Sequence, residues 1–178
     1  SRATQIGGDI DGEAANDQSG HSVSFNEDAT IMAIGAIAND GQGTNSGHVR
    51  VFQFSNDSWS QLGLDIDGEA ASDQSGYSVS LSSDGKTLAV GAISNAGNGS
   101  NSGHVRVYNY NGTAWLQLGS DIDGEAGGDY SGYSVSLSSD GKTLAIGAVY
   151  NDNGNGSNSG HVRVYNYYLG FWTQLGAD

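Results

Sequence analysis

The sequence predicts an all-β fold: three four-stranded antiparallel propeller blades, part of a larger or oligomerically completed β-propeller. One phrase recurs from Gln5, Gln61, Gln117 and Gln174, spaced by 56, 56 and 57 residues. Within each unit, short stretches alternate apolar and polar residues with the period of two that a half-buried strand requires. Helix has no foothold, because Ser, β-branched residues and 29 glycines dominate and no 3.6-residue apolar stripe persists. The whole chain, 1–178, reads as one repeat domain with units near 5–60, 61–116 and 117–173.

The first strand of each unit is "SVSFN" from Ser22 and "SVSLS" from Ser78 and Ser134. Alternation sets Val79 and Leu81 on one face and Ser78, Ser80 and Ser82 on the other, so the serine face admits close approach of another sheet. The second strand is "IMAIGA", "TLAVGA" and "TLAIGA", joined to the first by turns marked most clearly at Asp84-Gly85 and Asp140-Gly141. The third is "HVRVF" from His48 and "HVRVY" from His104 and His161. The fourth surrounds Trp59, Trp115 and Trp172. Between the second and third strands run glycine-rich loops, and the single extra residue of the last unit falls in "NDNGNGSNSG", where added length costs little.

A meander of four strands repeated every 56 residues or so describes a propeller blade. A β-trefoil, which also has three similar units, is the main structural rival. Propellers close with four or more blades, so three leave two uncovered sides. The segment "ATQIGGDIDGE" from Ala3 reads as the tail of an outer strand, and "FWTQLGAD" supplies that element again at the other end. The chain is therefore expected to belong to a larger wheel or to join further copies of itself across its open faces.

The combination "SGYSVSLSSDGKTLAVGA…SGHVRVY" resembles the FG-GAP repeat family, particularly its integrin-α-like propellers. In that family an "FGxSV" strand precedes a "VGA" strand, and a Gly-rich loop leads into "GxVYVF". Here Ser19, Ser75 and Ser131 stand in place of the Phe, before Gly20, Gly76 and Gly132, while Val23, Val79 and Val135 keep the apolar position. The resemblance implies a six- or seven-bladed ring and a place in adhesion proteins, surface proteins or enzyme-attached modules. It also implies calcium loops written near "DxDxDGxxD" in the first hairpin. At that position this chain has only "SSDGKT", with Lys86 and Lys142 adding positive charge.

Composition narrows the function classes. Twenty acidic and 6 basic residues give a formal charge of -14, which leaves no basic footprint for nucleic acid. No apolar run reaches membrane-spanning length, so no transmembrane segment is expected. Without cysteine there is neither a disulfide framework nor a thiolate metal site.

Four sets of residues are candidates for binding. The link "DIDGEAxxD" offers Asp9, Asp11 and Asp17, then Asp65, Asp67 and Asp73, then Asp121, Asp123 and Asp129, together with Glu13, Glu69 and Glu125. Such hard oxygens suit Ca²⁺, the one cofactor the sequence suggests, and equally suit Asx turns and solvation. His48, His104 and His161 share a strand face with Arg50, Arg106 and Arg163. Each Arg is expected between sheets against an acid such as Asp73 or Asp129. Trp59, Trp115 and Trp172 with the loop amides Asn98 and Asn155 could instead stack on and hydrogen-bond a sugar. Asn56, Asn98, Asn111 and Asn155 begin N-x-Ser/Thr sequons, expected glycan sites if the chain is secreted.

Every strong acid recurs in each unit, and no distinct nucleophile, base or odd carboxylate stands out. The sequence therefore reads as a non-catalytic extracellular or cell-surface module for adhesion, assembly or protein binding. A multivalent carbohydrate-binding propeller is the alternative, with a protein or glycan at the cell surface as partner.

Overall fold

A computed structural model describes residues 2–152 and 155–177; Asn153 and Gly154 of the last glycine-rich loop lie outside the described residues. Among the described residues there are fourteen strands and no helix, so no helix is long and apolar enough to cross a membrane. The first sheet is a meander of β1 (Ser19–Phe25), β2 (Ile31–Ala36), β3 (His48–Ser55) and β4 (Ser58–Gln61). Then β5 (Ile66–Asp67) pairs with the start of β3, opposite His48 and Val49. The second sheet repeats this with β6 (Ser75–Leu81), β7 (Thr87–Ala92), β8 (His104–Tyr110), β9 (Trp115–Gln117) and β10 (Ile122–Asp123). The third has β11 (Ser131–Leu137), β12 (Thr143–Ala148), β13 (His161–Tyr168) and β14 (Phe171–Gln174).

The hairpins form where the turn chemistry lies. Gly85 takes φ +70°, and the Asp84 carboxylate accepts from Ser82 Oγ at 2.7 Å and from the Lys86 amide at 2.9 Å. Asp140 does the same with Ser138 and Lys142. Each innermost strand carries a bulge just after its "SG", between Ser19 and Ser22 and at the equivalent sites.

The sheets stack side by side, and the serine face makes this possible. Ser22 Oγ donates to the Gly76 carbonyl at 2.7 Å, and Ser78 Oγ to the Gly132 carbonyl at 2.7 Å. One turn of strand further, the amides of Leu81 and Leu137 donate to Ser24 Oγ and Ser80 Oγ, both at 3.0 Å. The "VGA" glycine lets the backbones meet: a Cβ on Gly35 would stand 2.1 Å from the Gly76 oxygen, and one on Gly91 2.2 Å from that of Gly132.

Two hydrophobic cores fill these seams. Ile31, Ala33, Val49 and Val51 of the first blade pack on Leu81, Leu88 and Val90 of the second. Ala89, Val105 and Val107 of the second pack on Leu144, Ile146 and Tyr165 of the third. The core thus lies between blades rather than within any one of them.

Candidate functional site

One rim of the stack gathers the glycine-rich loops and the acidic links. The link after the first blade runs under the loop before β3: Gly68 N donates to Gly47 O at 2.8 Å, Ser72 N to Thr44 O at 2.8 Å, and Gln74 N to Asn45 O at 3.2 Å. The second pair of elements repeats this, with Gly124 on Gly103, Gly128 on Ser100 and Tyr130 on Asn101. Parallel bridges from Gly47 to Ser75 and from Gly103 to Ser131 finish the seam. A groove of about 500 Å³ lies between the first two blades there, lined by Ala70, Asp73, Gln74, Ser94 and Asn101 among others.

Behind this rim each blade holds an acid, an imidazole and a guanidinium. Arg106 forks onto Asp121, with Nε 2.8 Å from Oδ1 and Nη2 3.0 Å from Oδ2, and also meets the Glu69 carboxylate. Burial opposes charge on Arg106, but the Asp121 hydrogen bonds, with Tyr108 and Glu69 nearby, outweigh it and raise its pKa. Burial likewise pulls Asp121 upward, yet the bonds from Arg106 and Gln117 prevail and hold its carboxyl below the ordinary range. His104 Nδ1 is buried without a hydrogen-bond partner, 3.7 Å from Glu69 and 3.8 Å from Asp121. Desolvation lowers its pKa against the pull of Asp121.

The outer blades differ in detail. Arg50 donates to the Asp11 carbonyl at 2.6 Å and lies over the Phe52 ring, 5.3 Å from its centroid. Arg163 does the same with the Asp123 carbonyl at 2.7 Å and the Tyr165 ring at 5.5 Å. The expectation of a buried arginine with an acidic or backbone partner is met. The partner acids are Glu69 and Asp121 rather than Asp73 or Asp129, because those are already committed elsewhere. Asp73 Oδ2 accepts from Asn95 Nδ2 at 2.9 Å, and Asp129 from Asn151 at 2.8 Å. Asp17 accepts from Asn39 at 3.1 Å.

These commitments scatter the nine link aspartates that suggested calcium. Asp9, Asp65 and Asp121 accept from Gln5, Gln61 and Gln117 at 2.6 to 2.8 Å. Asp67 accepts from Gln42, and Asp11 and Asp123 offer their backbone carbonyls to arginine. Among the described residues, the acid and imidazole atoms that converge are Glu13–His48–Asp65 and Glu69–His104–Asp121, each with one of the nine. Each of these groups has an arginine beside it already, within 4.0 Å of the glutamate. The aspartates thus do not assemble into an oxygen cage of six to eight ligands.

The three tryptophans sit on the outer strands and fasten each blade to the link before it. Trp115 Nε1 donates to Leu62 O at 2.8 Å, Trp172 to Leu118 O at 2.8 Å and Trp59 to Ile6 O at 3.2 Å. Each also lies against its own blade's Phe54, Tyr110 or Tyr167, with centroids 5.0 to 5.2 Å apart. Their single N–H donor is used within the fold. Of the loop amides, Asn98 Nδ2 donates to Gly124 O at 2.8 Å, and Asn155 is exposed with contacts of its own. The sequon residues Asn56, Asn98, Asn111 and Asn155 are all exposed; Asn56 stands in the β3–β4 turn, and Asn111 Oδ1 caps its own turn through Thr113 and Ala114.

A second aromatic set escaped the sequence reading. His21, Tyr77 and Tyr133 follow the "SG" of each innermost strand and form a row, with centroids 4.8 and 5.0 Å apart. Tyr130 and Tyr150 form an edge-on pair beside it, at 5.4 Å. A hydrogen bond with Tyr133, helped by burial, pushes the Tyr77 hydroxyl up to about 12. The signal was present in the sequence as a ring at one position of every unit, inside the bulge that follows each "SG".

Strand meanders stacked through a repeated lateral seam define an array of β-propeller blades. The FG-GAP repeat matches residues 10–52, 65–108 and 121–165, and the chain belongs to the FG-GAP repeat family. No curated protein sequence matches it. Solved structures agree on the fold. Saccharomyces cerevisiae Sqt1 is 16% identical with a TM-score of 0.57, covering 91% of this chain and 36% of its own. The periplasmic gluconolactonase PpgL of Pseudomonas aeruginosa is 18% identical with a TM-score of 0.53, at 82% and 39% coverage. Hydrazine synthase of Kuenenia stuttgartiensis is 17% identical with a TM-score of 0.54, at 85% and 35%. The chain therefore spans less than two-fifths of the length of each of these structures.

Proposed function

We propose that this chain is a non-catalytic propeller module of an extracellular or cell-surface protein, presenting its loop rim for adhesion or assembly. The observation that carries the reading is the equivalence of the polar groups around the rim. An Asn–Asp pair and an arginine held by an acid or a backbone carbonyl recur in all three blades, and what the middle blade adds is the Arg106–Asp121 ion pair rather than a free acid or base, whereas a catalytic centre needs one such group set apart from its copies. Two of the structural neighbours are enzymes by name, but at this identity the likeness concerns the fold alone.

A second reading, multivalent carbohydrate binding, is favoured by the row His21–Tyr77–Tyr133, in which Tyr77 follows three residues after Gln74 of the polar groove. Ring faces beside amides suit a sugar. The test is a glycan array run in parallel with capture of surface proteins. The module reading expects selective protein capture and a silent array. Array binding abolished by Tyr77→Ala and Tyr133→Ala, and unchanged by Trp115→Phe, would replace it with the lectin reading.

A further inference from the structure

The two seams inside the chain show what the two outer faces are built to meet. In the seam between the first two blades, Val49 is fully buried and Leu81 is 7% exposed; in the next, Val105 is fully buried. At the ends the same positions stand open. Val23 and Phe25 on the leading face of the first blade are 61% and 51% exposed, and Val162 on the trailing face of the third is 63% exposed. The leading face also forms an apolar groove of about 760 Å³, lined by Val23, Phe25, Met32, Ile34 and Trp59 among others.

The polar groups of the seam are equally divided. The trailing face contributes the Ser22 and Ser24 hydroxyls in the first seam and those of Ser78 and Ser80 in the second. Ser134 and Ser136 stand at those positions on the third blade. The leading face contributes a glycine carbonyl and a strand amide, supplied on the first blade by Gly20 and Phe25. Each open face is therefore the sequence-matched complement of the other.

We infer that a second copy of this chain docks there, the trailing face of each third blade meeting the leading face of the other copy's first blade, to close a two-chain ring of six blades. The contact is head-to-tail, so two copies form two identical seams related by a twofold axis. Only one element is present in duplicate. Residues 4–8, "TQIGG", rest on Trp59 as Leu62 and Gly63 rest on Trp115. The stretch "TQLGA" at 173–177 is the same element after the third blade. Docking exchanges one for the other at Trp59, so the indole keeps an equivalent carbonyl acceptor.

Sedimentation equilibrium of the intact chain, from micromolar to millimolar concentration, tests this. The expected particle at the upper end is twice the 18.3 kDa of one chain. Val23→Lys and Val162→Lys each place a charge on one exposed face, and circular dichroism melting checks that each variant keeps its fold. Each variant alone is expected to lose closed-ring association, and an equimolar mixture is expected to recover a two-chain particle through the one intact seam. A monomer at every concentration overturns the inference. So do a two-chain particle sensitive to Val23→Lys but not to Val162→Lys, which would be face-to-same-face, and growth into open filaments.

Discussion

Ser78 donates its hydroxyl to the carbonyl of Gly132 across 2.7 Å, and the Cα of Gly91 lies against that same carbonyl group. The identical triplet of Ser22, Gly76 and Gly35 holds the preceding seam. The "SVS" serine and the "VGA" glycine of one blade are therefore one half of a lateral joint, and the "SG" glycine carbonyl of the next blade is the other half.

Gly91→Ala tests that joint. Its Cβ would press on the backbone oxygen of Gly132 at 2.2 Å, which cannot rotate away. The expected cost is about 1–3 kcal/mol, the range for overpacking a close contact. Gly147 has no following blade within the chain, and its Cβ meets only the movable Ser134 hydroxyl, so in the Val162→Lys background, which keeps the chain single, Gly147→Ala should cost less than about 1 kcal/mol. Urea denaturation of the two variants measures the difference, and equal losses would remove the seam from the explanation.

Arg106→Met leaves Glu69 and Asp121 without their cation. Breaking a fully buried pair costs about 3–5 kcal/mol. Here the side chains of Arg106, Glu69 and Asp121 are 18, 38 and 28% exposed, so solvent screening lowers the expected loss to about 1–3 kcal/mol. Arg106→Lys keeps the charge but not the fork, and should recover only part of the loss.

Protonation of His104 should weaken the fold. Its folded pKa lies below the ordinary 6.5, so the unfolded chain takes up the proton first. The contribution is complete above pH 6.5 and declines as pH falls through the folded value. Asp121, also depressed, adds a further loss at more acid pH, below its ordinary 3.8. Melting temperature followed from pH 7.5 to 5 should fall more for the native chain than for His104→Asn; parallel curves would contradict the assignment.

Calcium should not stabilise the chain. Since the link aspartates are dispersed among Gln, Asn and Arg partners, added Ca²⁺ in chelator-stripped buffer is expected to leave the melting temperature unchanged and to give no saturable heat in calorimetry. A saturable upward shift would show that the carboxylates regroup around an ion.

Much of this was legible in the sequence because repetition supplied it three times. The alternation in "SVSLS" placed Ser78 and Val79 on opposite faces, and Asp84-Gly85 marked the hairpin that the structure contains. Sequence spacing could not say which acid Arg106 would meet. Asp73 is claimed by Asn95, a residue 22 positions along the chain, while Asp121 arrives from the link after the blade. The row of His21, Tyr77 and Tyr133 was hidden for a related reason: neighbours across blades stand 56 residues apart, where period-two reasoning does not look.

The most direct measurement is amide hydrogen exchange at Phe25, Leu81 and Leu137 in the Val162→Lys variant, which keeps the chain single. Side-by-side blades predict strong protection at Leu81 and Leu137, whose amides are held by Ser24 and Ser80, and fast exchange at Phe25, which has no earlier blade against it. Equal protection at all three sites, as a closed threefold fold would give, would contradict the account.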